Sequence, residues 1–329
     1  MDFAVYVTGQ GESWTYPDFR DAFVEAERLG FHAGWTMDNN VGSSVSTRER
    51  PVFDTWTVLP AIAEATSKIR LGPLVTPVGR RPFALFAKTT SIFDRISDGR
   101  LDLGIGAGDH ADYFEPWGQP YPEGKVRVEQ LREQIEVLKL MWSEDRADYE
   151  GKYVTLRGAI NEPKPVQKPH PPIWIGLTRS RTRMPRLAAR YADGINIYLP
   201  EPKDREMLEI FERCCEEIGR DPGEVRRSRN LIVAVTDRQI DLVEVIRSEA
   251  NEGVGDFESM LPNITDYENP IIGPAEHCIE QIRLRGEGFD QVIVNSPGLD
   301  YEDRLYTTTP EGTRHAMRRF AEEVMPAFR

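Results

Sequence analysis

Ser97-Asp98-Gly99-Arg100-Leu101-Asp102-Leu103-Gly104-Ile105-Gly106-Ala107-Gly108-Asp109-His110 is the stretch from which the fold can be read. Gly99 suits the left-handed residue that stops a helix. Leu101, Leu103 and Ile105 then alternate as a strand does. Gly104, Gly106 and Gly108 leave the far end of that strand bare, which weakens it unless something must approach the backbone closely. The strand hands over to an acid, Asp109, and an imidazole, His110. Such an exit reads as one spoke of an enzyme active site; a Gly-rich connection without a ligand is the plainer alternative. The glycine spacing is not a dinucleotide fingerprint, since no GxGxxG opens a following helix here.

Working outward, apolar strands are expected at residues 3–7, 32–37, 69–76, 173–177, 194–198, 231–236 and 291–295, beside the one at 101–105. Helices are expected at 16–29, 54–67, 82–96, 124–142, 183–191, 203–218, 238–251 and 275–286, with a small hairpin at 149–153 and a proline-rich connector at 163–172. Eight short strands, each followed by a helix, predict a (β/α)8 TIM barrel rather than an open doubly wound sheet. The 329 residues read as a single barrel domain with insertion loops. Residues 253–274 are too long for an ordinary connection and read as either a lid or a disordered patch.

Composition narrows the function. A formal charge of −13 argues against nucleic acid and against an anionic membrane surface. Three cysteines, two of them adjacent at Cys214 and Cys215, make neither a disulfide framework nor a CxxC pair, and the five histidines are scattered. The opening residues alternate as a strand, unlike a signal peptide, and no run is long enough to span a bilayer. A cytoplasmic, metal-free enzyme acting on a small molecule is the expectation.

A barrel carries its chemistry at the strand C-termini, which selects Asp38, Asn39, Thr76, Asp109, His110, Thr178, Arg179 and Tyr198. The segment Gly176-Leu177-Thr178-Arg179-Ser180-Arg181-Thr182-Arg183 is the strongest anion signal. Arg179, Arg181, Arg183, Arg186 and Arg190 occur with no acid before Asp193, where a strand ends and a helix begins. Helix N-termini disfavour cations, so the run points to a ligand phosphate held by free N–H groups, hydroxyls and guanidinium groups; a solvated basic helix start is the plainer alternative. Arg80 and Arg81 are expected to add to the same field. Trp14 and Trp117 are candidates for walls of the substrate pocket.

Several motifs together resemble the bacterial luciferase-like superfamily, and within it the branch that uses coenzyme F420, a 5-deazaflavin. They are Thr36-Met37-Asp38, Leu71-Gly72-Pro73-Leu74-Val75-Thr76-Pro77, Arg81-Pro82-Phe83-Ala84-Leu85-Phe86-Ala87-Lys88, the stretch from Ser97 to Gly108, Pro171-Pro172-Ile173-Trp174-Ile175-Gly176 and Tyr191-Ala192-Asp193-Gly194. The resemblance implies a ring lying across the barrel mouth against strand three, with a cis peptide at Leu74-Val75. Cofactor contacts would come from Asp38, Leu74, Val75, Thr76, Gly106, Ala107, Gly108, Gly176, Leu177, Thr178, Arg179 and Arg183. It also implies a homodimer. Many deazaflavin members carry a histidine where this chain has Asn39, and an amide can orient a carbonyl but cannot donate a proton. Catalytic candidates are therefore Asp38, Asn39, Asp109 and His110, with Asp109 a general acid if burial raises its pKa. An FMN-dependent monooxygenase is the alternative reading, and a non-catalytic flavin-binding barrel the second alternative.

Overall fold

The computed structural model describes residues 1–11, 13–42, 49, 51–239, 270–295 and 309–329. Strand β1 (Asp2–Tyr6) leads into helix α1 (Tyr16–Leu29), which has a sequence-encoded start and stop. Thr15 and Asp18 form a reciprocal capping box, and Gly30 ends the helix at φ 87°. β2 (Ala33–Thr36), α2 (Thr55–Ala65), β3 (Arg70–Pro73), β4 (Thr76–Pro77), α3 (Phe83–Ile96) and β5 (Leu103–Gly106) follow. Next come α4 (Gly124–Ser143), the antiparallel hairpin of β6 (Ala147–Glu150) and β7 (Thr155–Ala159), then β8 (Ile173–Leu177) and α5 (Arg183–Tyr191). The chain continues through β9 (Gly194–Ile197), α6 (Lys203–Glu217), β10 (Arg226–Val235), β11 (Ile271–Gly273), α7 (Ala275–Gly286), β12 (Gln291–Asn295) and α8 (Pro310–Arg319).

The strand order β3-β2-β1-β12-β10-β9-β8-β5-β4 runs once around a (β/α)8 barrel, with every neighbour parallel. The ring closes through its third stave. β3 pairs with β2 on one side, and β4 pairs with β5 on the other. Between them the Leu74-Val75 peptide is cis, as anticipated. The expected continuous strand at 69–76 is therefore two short ones.

That break explains most of the bare strand in β5. A Cβ on Gly104 would stand 2.0 Å from the Pro73 carbonyl oxygen, and one on Gly106 would stand 2.7 Å from Val75 Cγ2. What approaches the glycine backbone is the neighbouring stave. Arg100 in the preceding turn has a structural task too: its guanidinium donates to the Ala63, Thr66 and Ile69 carbonyls, tying the end of α2 to the turn that leaves α3.

Inward-facing Ala4, Ala33, Trp35, Trp174 and Ile293 pack as their own cluster inside the barrel, with Tyr6 and Leu74 against it. The Trp35 and Trp174 rings meet edge-on at 5.6 Å. The larger core fills the layer between strands and helices.

Other departures from the sequence expectation have physical reasons. Strand seven starts at Arg226, five residues before the expected 231, because its polar residues all find partners. Arg226 pairs with Asp2, Arg229 with Asp204, and Ser228 and Asn230 with Asn196. Of the candidate lid, residues 253–269 lie outside the described residues, and Ile271–Gly273 form a buried strand paired with β10. The expected helix at 238–251 also lies, from residue 240, outside the described residues. Helix α8 had no counterpart in the sequence reading.

Candidate active site

Strand ends bring Asp38, Thr76 and the Gly-rich exit of β5 to one mouth, but Asp38 is more deeply engaged than its position suggested. Its buried carboxylate accepts from the Thr76 hydroxyl at 2.8 Å, from Trp56 Nε1 at 3.2 Å and from Arg81 Nη1 at 2.7 Å. Trp56 Nε1 also donates to Thr76 Oγ1 at 2.9 Å. Arg81 continues to Asp54 at 3.0 Å, and Arg80 Nη1 donates to the Asp38 backbone carbonyl. Arg80 is buried, which lowers its pKa, while the nearby Asp38 charge opposes that shift. Arg80 and Arg81 thus close on Asp38, in contrast to the expectation that they join the arginines after strand five. The result is a rigid corner joining the ends of β2 and β4 to α2.

Asn39 is half-buried, its amide nitrogen 3.6 Å from the Met37 sulfur. Asn40 donates to the Tyr113 carbonyl at 3.2 Å, linking the β2 exit to the β5 exit. Beyond β5, Asp109 and His110 come together at 3.7 Å, with side chains 59% and 43% exposed. The burial on which an acid role for Asp109 depends is absent among the described residues. Arg127, which the sequence reading did not single out, donates to the Ala107 and Gly108 carbonyls at 3.0 and 3.3 Å. Its guanidinium lies 3.9 Å over the Tyr121 ring, so the Gly106-Ala107-Gly108 exit is held from outside the barrel.

The two tryptophans separate. Trp14 is a core residue, edge-on to Phe19 at 6.2 Å, and Trp117 is 59% exposed. Tyr6, the last residue of β1, reaches across the floor, its hydroxyl 3.5 Å from the Leu74 carbonyl. Burial, then Tyr113 and then Asp109 push its phenol pKa well above the ordinary value.

The five arginines also divide. Arg181 pairs with Glu206 at 2.7 Å, Arg186 with Glu217 at 3.8 Å, and Arg190 lies 5.7 Å over the Tyr191 ring. Arg179 and Arg183 are exposed and have no ion pair among the described residues. Arg179 precedes α5 and Arg183 opens it; Thr182 makes no side-chain cap there, and the Met184 N–H of the first turn donates to Ser180 Oγ at 3.4 Å. Arg179 is also close enough to Tyr121 to act on its phenol. On the floor between, Gly176 faces the Val75 methyls, from which a Cβ would stand 3.5 Å. The mouth therefore has a glycine side at Gly106 and Gly176, with unpaired cations on its rim.

Among the described residues no helix is long and apolar enough to cross a membrane, and no group of three His, Cys, Asp or Glu side chains is placed to hold a metal.

A sequence model of the family described as luciferase-like monooxygenase matches residues 1–291. An F420-dependent glucose-6-phosphate dehydrogenase of Amycolatopsis mediterranei (strain U-32) is 25% identical over 333 residues, covering 95% of this chain and 94% of its own. A 5,10-methylenetetrahydromethanopterin reductase of Archaeoglobus fulgidus is 26% identical over 311 residues, covering 83% and 87%. Among solved structures, an F420-dependent secondary alcohol dehydrogenase in complex with an F420-acetone adduct superposes with a TM-score of 0.78 at 18% identity, covering 100% of this chain and 99% of that one.

Proposed function

The chain belongs to the luciferase-like monooxygenase family, and on that footing we propose that it is an oxidoreductase moving a hydride between coenzyme F420 and a small organic substrate. Full-length likeness to an F420-dependent dehydrogenase supports the cofactor. The observation that carries the reading to this chain is Arg179 and Arg183 at the start of α5, exposed and without an ion pair among the described residues, in a protein of formal charge −13.

The residues fit such a group. Gly106 and Gly176 leave the floor low, and the Val75 methyls stand between them as an apolar seat for a ring. Thr178, Arg179 and Arg183 would hold a phosphate and the carboxylates beyond it. When bound, the deazaflavin supplies a ring carbon that gives or takes hydride. The chain's own work is to hold ring and substrate in contact and to manage a proton. Asp38, locked by Arg81, Thr76 and Trp56, fixes the corner that Asn39 follows. Asn39 can orient a substrate carbonyl but cannot protonate it.

Fluorescence titration of the purified protein with F420 and with FMN tests the reading. Tighter binding of F420, with oxidation or reduction proceeding without oxygen, is expected. Tighter binding of FMN with oxygen-dependent turnover would instead establish the monooxygenase.

A further inference from the structure

We propose that the Tyr6 phenol donates a hydrogen bond, and then a proton, to the reacting oxygen of the substrate, and that this substrate is a neutral carbonyl compound or the corresponding alcohol. The proposal rests on the F420 reading above and names the donor and substrate class for that site.

Position comes first. Tyr6 ends β1 in register with Trp35, packed on the interior cluster one layer nearer the mouth. Its hydroxyl reaches toward the stave that carries Val75, so it stands beside the seat proposed for the ring.

Availability comes second. The phenol's one described contact, the Leu74 carbonyl, is at 3.5 Å, the long limit for a hydrogen bond. That donor is not consumed by the fold. The other candidates are worse placed or chemically unsuited: Asn39 has no acidic proton, and Asp109 and His110 sit exposed on the rim.

Protonation comes third. Among the described residues, the groups facing the phenol are Tyr113 and Asp109 from the rim and Leu74 and Trp35 from the adjoining staves. No cation is among them, and burial with these neighbours holds the proton on the oxygen through the neutral range. A phenol is still acidic enough to protonate the alkoxide that hydride addition creates.

The remaining floor indicates what the substrate is. Strand alternation turns Asn196, Asn230 and Asn295 inward on β9, β10 and β12, continuing the arc away from the glycine side. Asn196 Nδ2 donates to Ser228 Oγ at 3.1 Å and to Asn230 Oδ1 at 2.8 Å. Asn196 Oδ1 and Asn230 Nδ2 are left to face a ligand. Phenol and amides make a floor of neutral hydrogen-bonding groups, which suits a hydroxyl or carbonyl; a phosphate or carboxylate would lie there without a counter-charge.

In the reducing direction the carbonyl carbon takes a hydride from the reduced deazaflavin and forms a C–H bond. The C=O π pair moves to oxygen, and that oxygen takes the Tyr6 proton. The phenolate recovers a proton from water. The carbonyl is reduced and the deazaflavin oxidised; alcohol oxidation is the reverse.

The test uses F420-loaded protein with acetone, cyclohexanone, benzaldehyde and glucose 6-phosphate as probes, alongside Tyr6→Phe and Asn196→Ala. The wild type should consume reduced F420 with at least one neutral carbonyl, and oxidised F420 should not be reduced by the phosphate ester. Tyr6→Phe should lower kcat by about 10²–10⁴-fold, leave F420 affinity and thermal midpoint unchanged, and abolish the solvent deuterium effect on kcat. Asn196→Ala should chiefly raise KM and weaken ketone binding, read from the fluorescence of bound F420. Wild-type turnover by Tyr6→Phe would overturn the proposal. So would F420-loaded wild type that is silent with every neutral carbonyl, or active only with glucose 6-phosphate. Failure of the wild type to bind F420 at all would instead overturn the cofactor reading.

Discussion

Arg179 and Arg183 are two guanidinium groups without an ion pair among the described residues, in a chain with an excess of acids. A charge-assisted hydrogen bond contributes about 1.5–3 kcal/mol, so removing one direct contact should weaken F420 binding on the order of tenfold to a hundredfold. Replacing both with alanine should weaken it further at low salt. The deficit should shrink as ionic strength rises, because an arginine reaching only the outer tail is screened beyond ~8 Å. Titrations at two salt concentrations decide it. Asp109→Asn should change turnover by less than about tenfold, against the 10²–10⁴ of a true general acid, because its carboxylate is 59% exposed. Arg179 and Arg183 were legible as cations in a stretch without acids, and Asp38 as the residue after a strand. The corner that Arg80, Arg81 and Trp56 build around Asp38 was not, because it joins side chains 18 to 43 residues apart. Tyr6 was read only as part of its strand.

The broken third stave makes a prediction that separates two neighbouring glycines. Adding a methyl to a filled interior costs about 1–3 kcal/mol. At Gly106 that methyl would strike Val75 Cγ2 at 2.7 Å, whereas at Gly104 it would strike the Pro73 backbone oxygen at 2.0 Å. Both single alanine variants should lower the urea midpoint, Gly104→Ala more. Adding Val75→Ala should restore most of the loss in Gly106→Ala and little of it in Gly104→Ala, since no side-chain change moves a carbonyl. The elements that could be read in advance have local signatures: Tyr16-Pro17-Asp18 at its start and Gly30 at its end bounded α1 at 16–29, and the structure adds the Thr15–Asp18 capping box. β11 is three residues long, and the first half of β10 is arginine-rich, so neither shows the apolar pattern of a strand. Their strand character comes from partners on distant elements.

Ion pairs and capped turns spread over the outer shell make stability depend on pH. Arg28, working against burial and with help from Arg318, lowers the Glu25 carboxyl to about 2, tying α1 to α8. Burial raises Glu27 and Glu136, but the Ile69, Lys68 and Ser67 N–H groups outweigh it at the first. The Tyr149 and Tyr191 hydroxyls with Arg132 outweigh it at the second. Each folded pKa lies below its unfolded value of about 4.3, so this stabilisation is complete above that pH and is lost as pH falls toward 2. Urea midpoints should fall between pH 5 and pH 3, and Glu25→Gln should flatten the decline. The whole ring carries a different consequence. β1 is held on one side by β2 and on the other by β12, with Asp2 opposite Gln291. As the chain leaves the ribosome, β1 waits with an open hydrogen-bonding edge, its Phe3 and Val5 not yet fully covered, until residues 291–295 emerge. A nascent chain stalled before that point should be protease-sensitive and prone to self-association, and release of the last stave should remove both properties together.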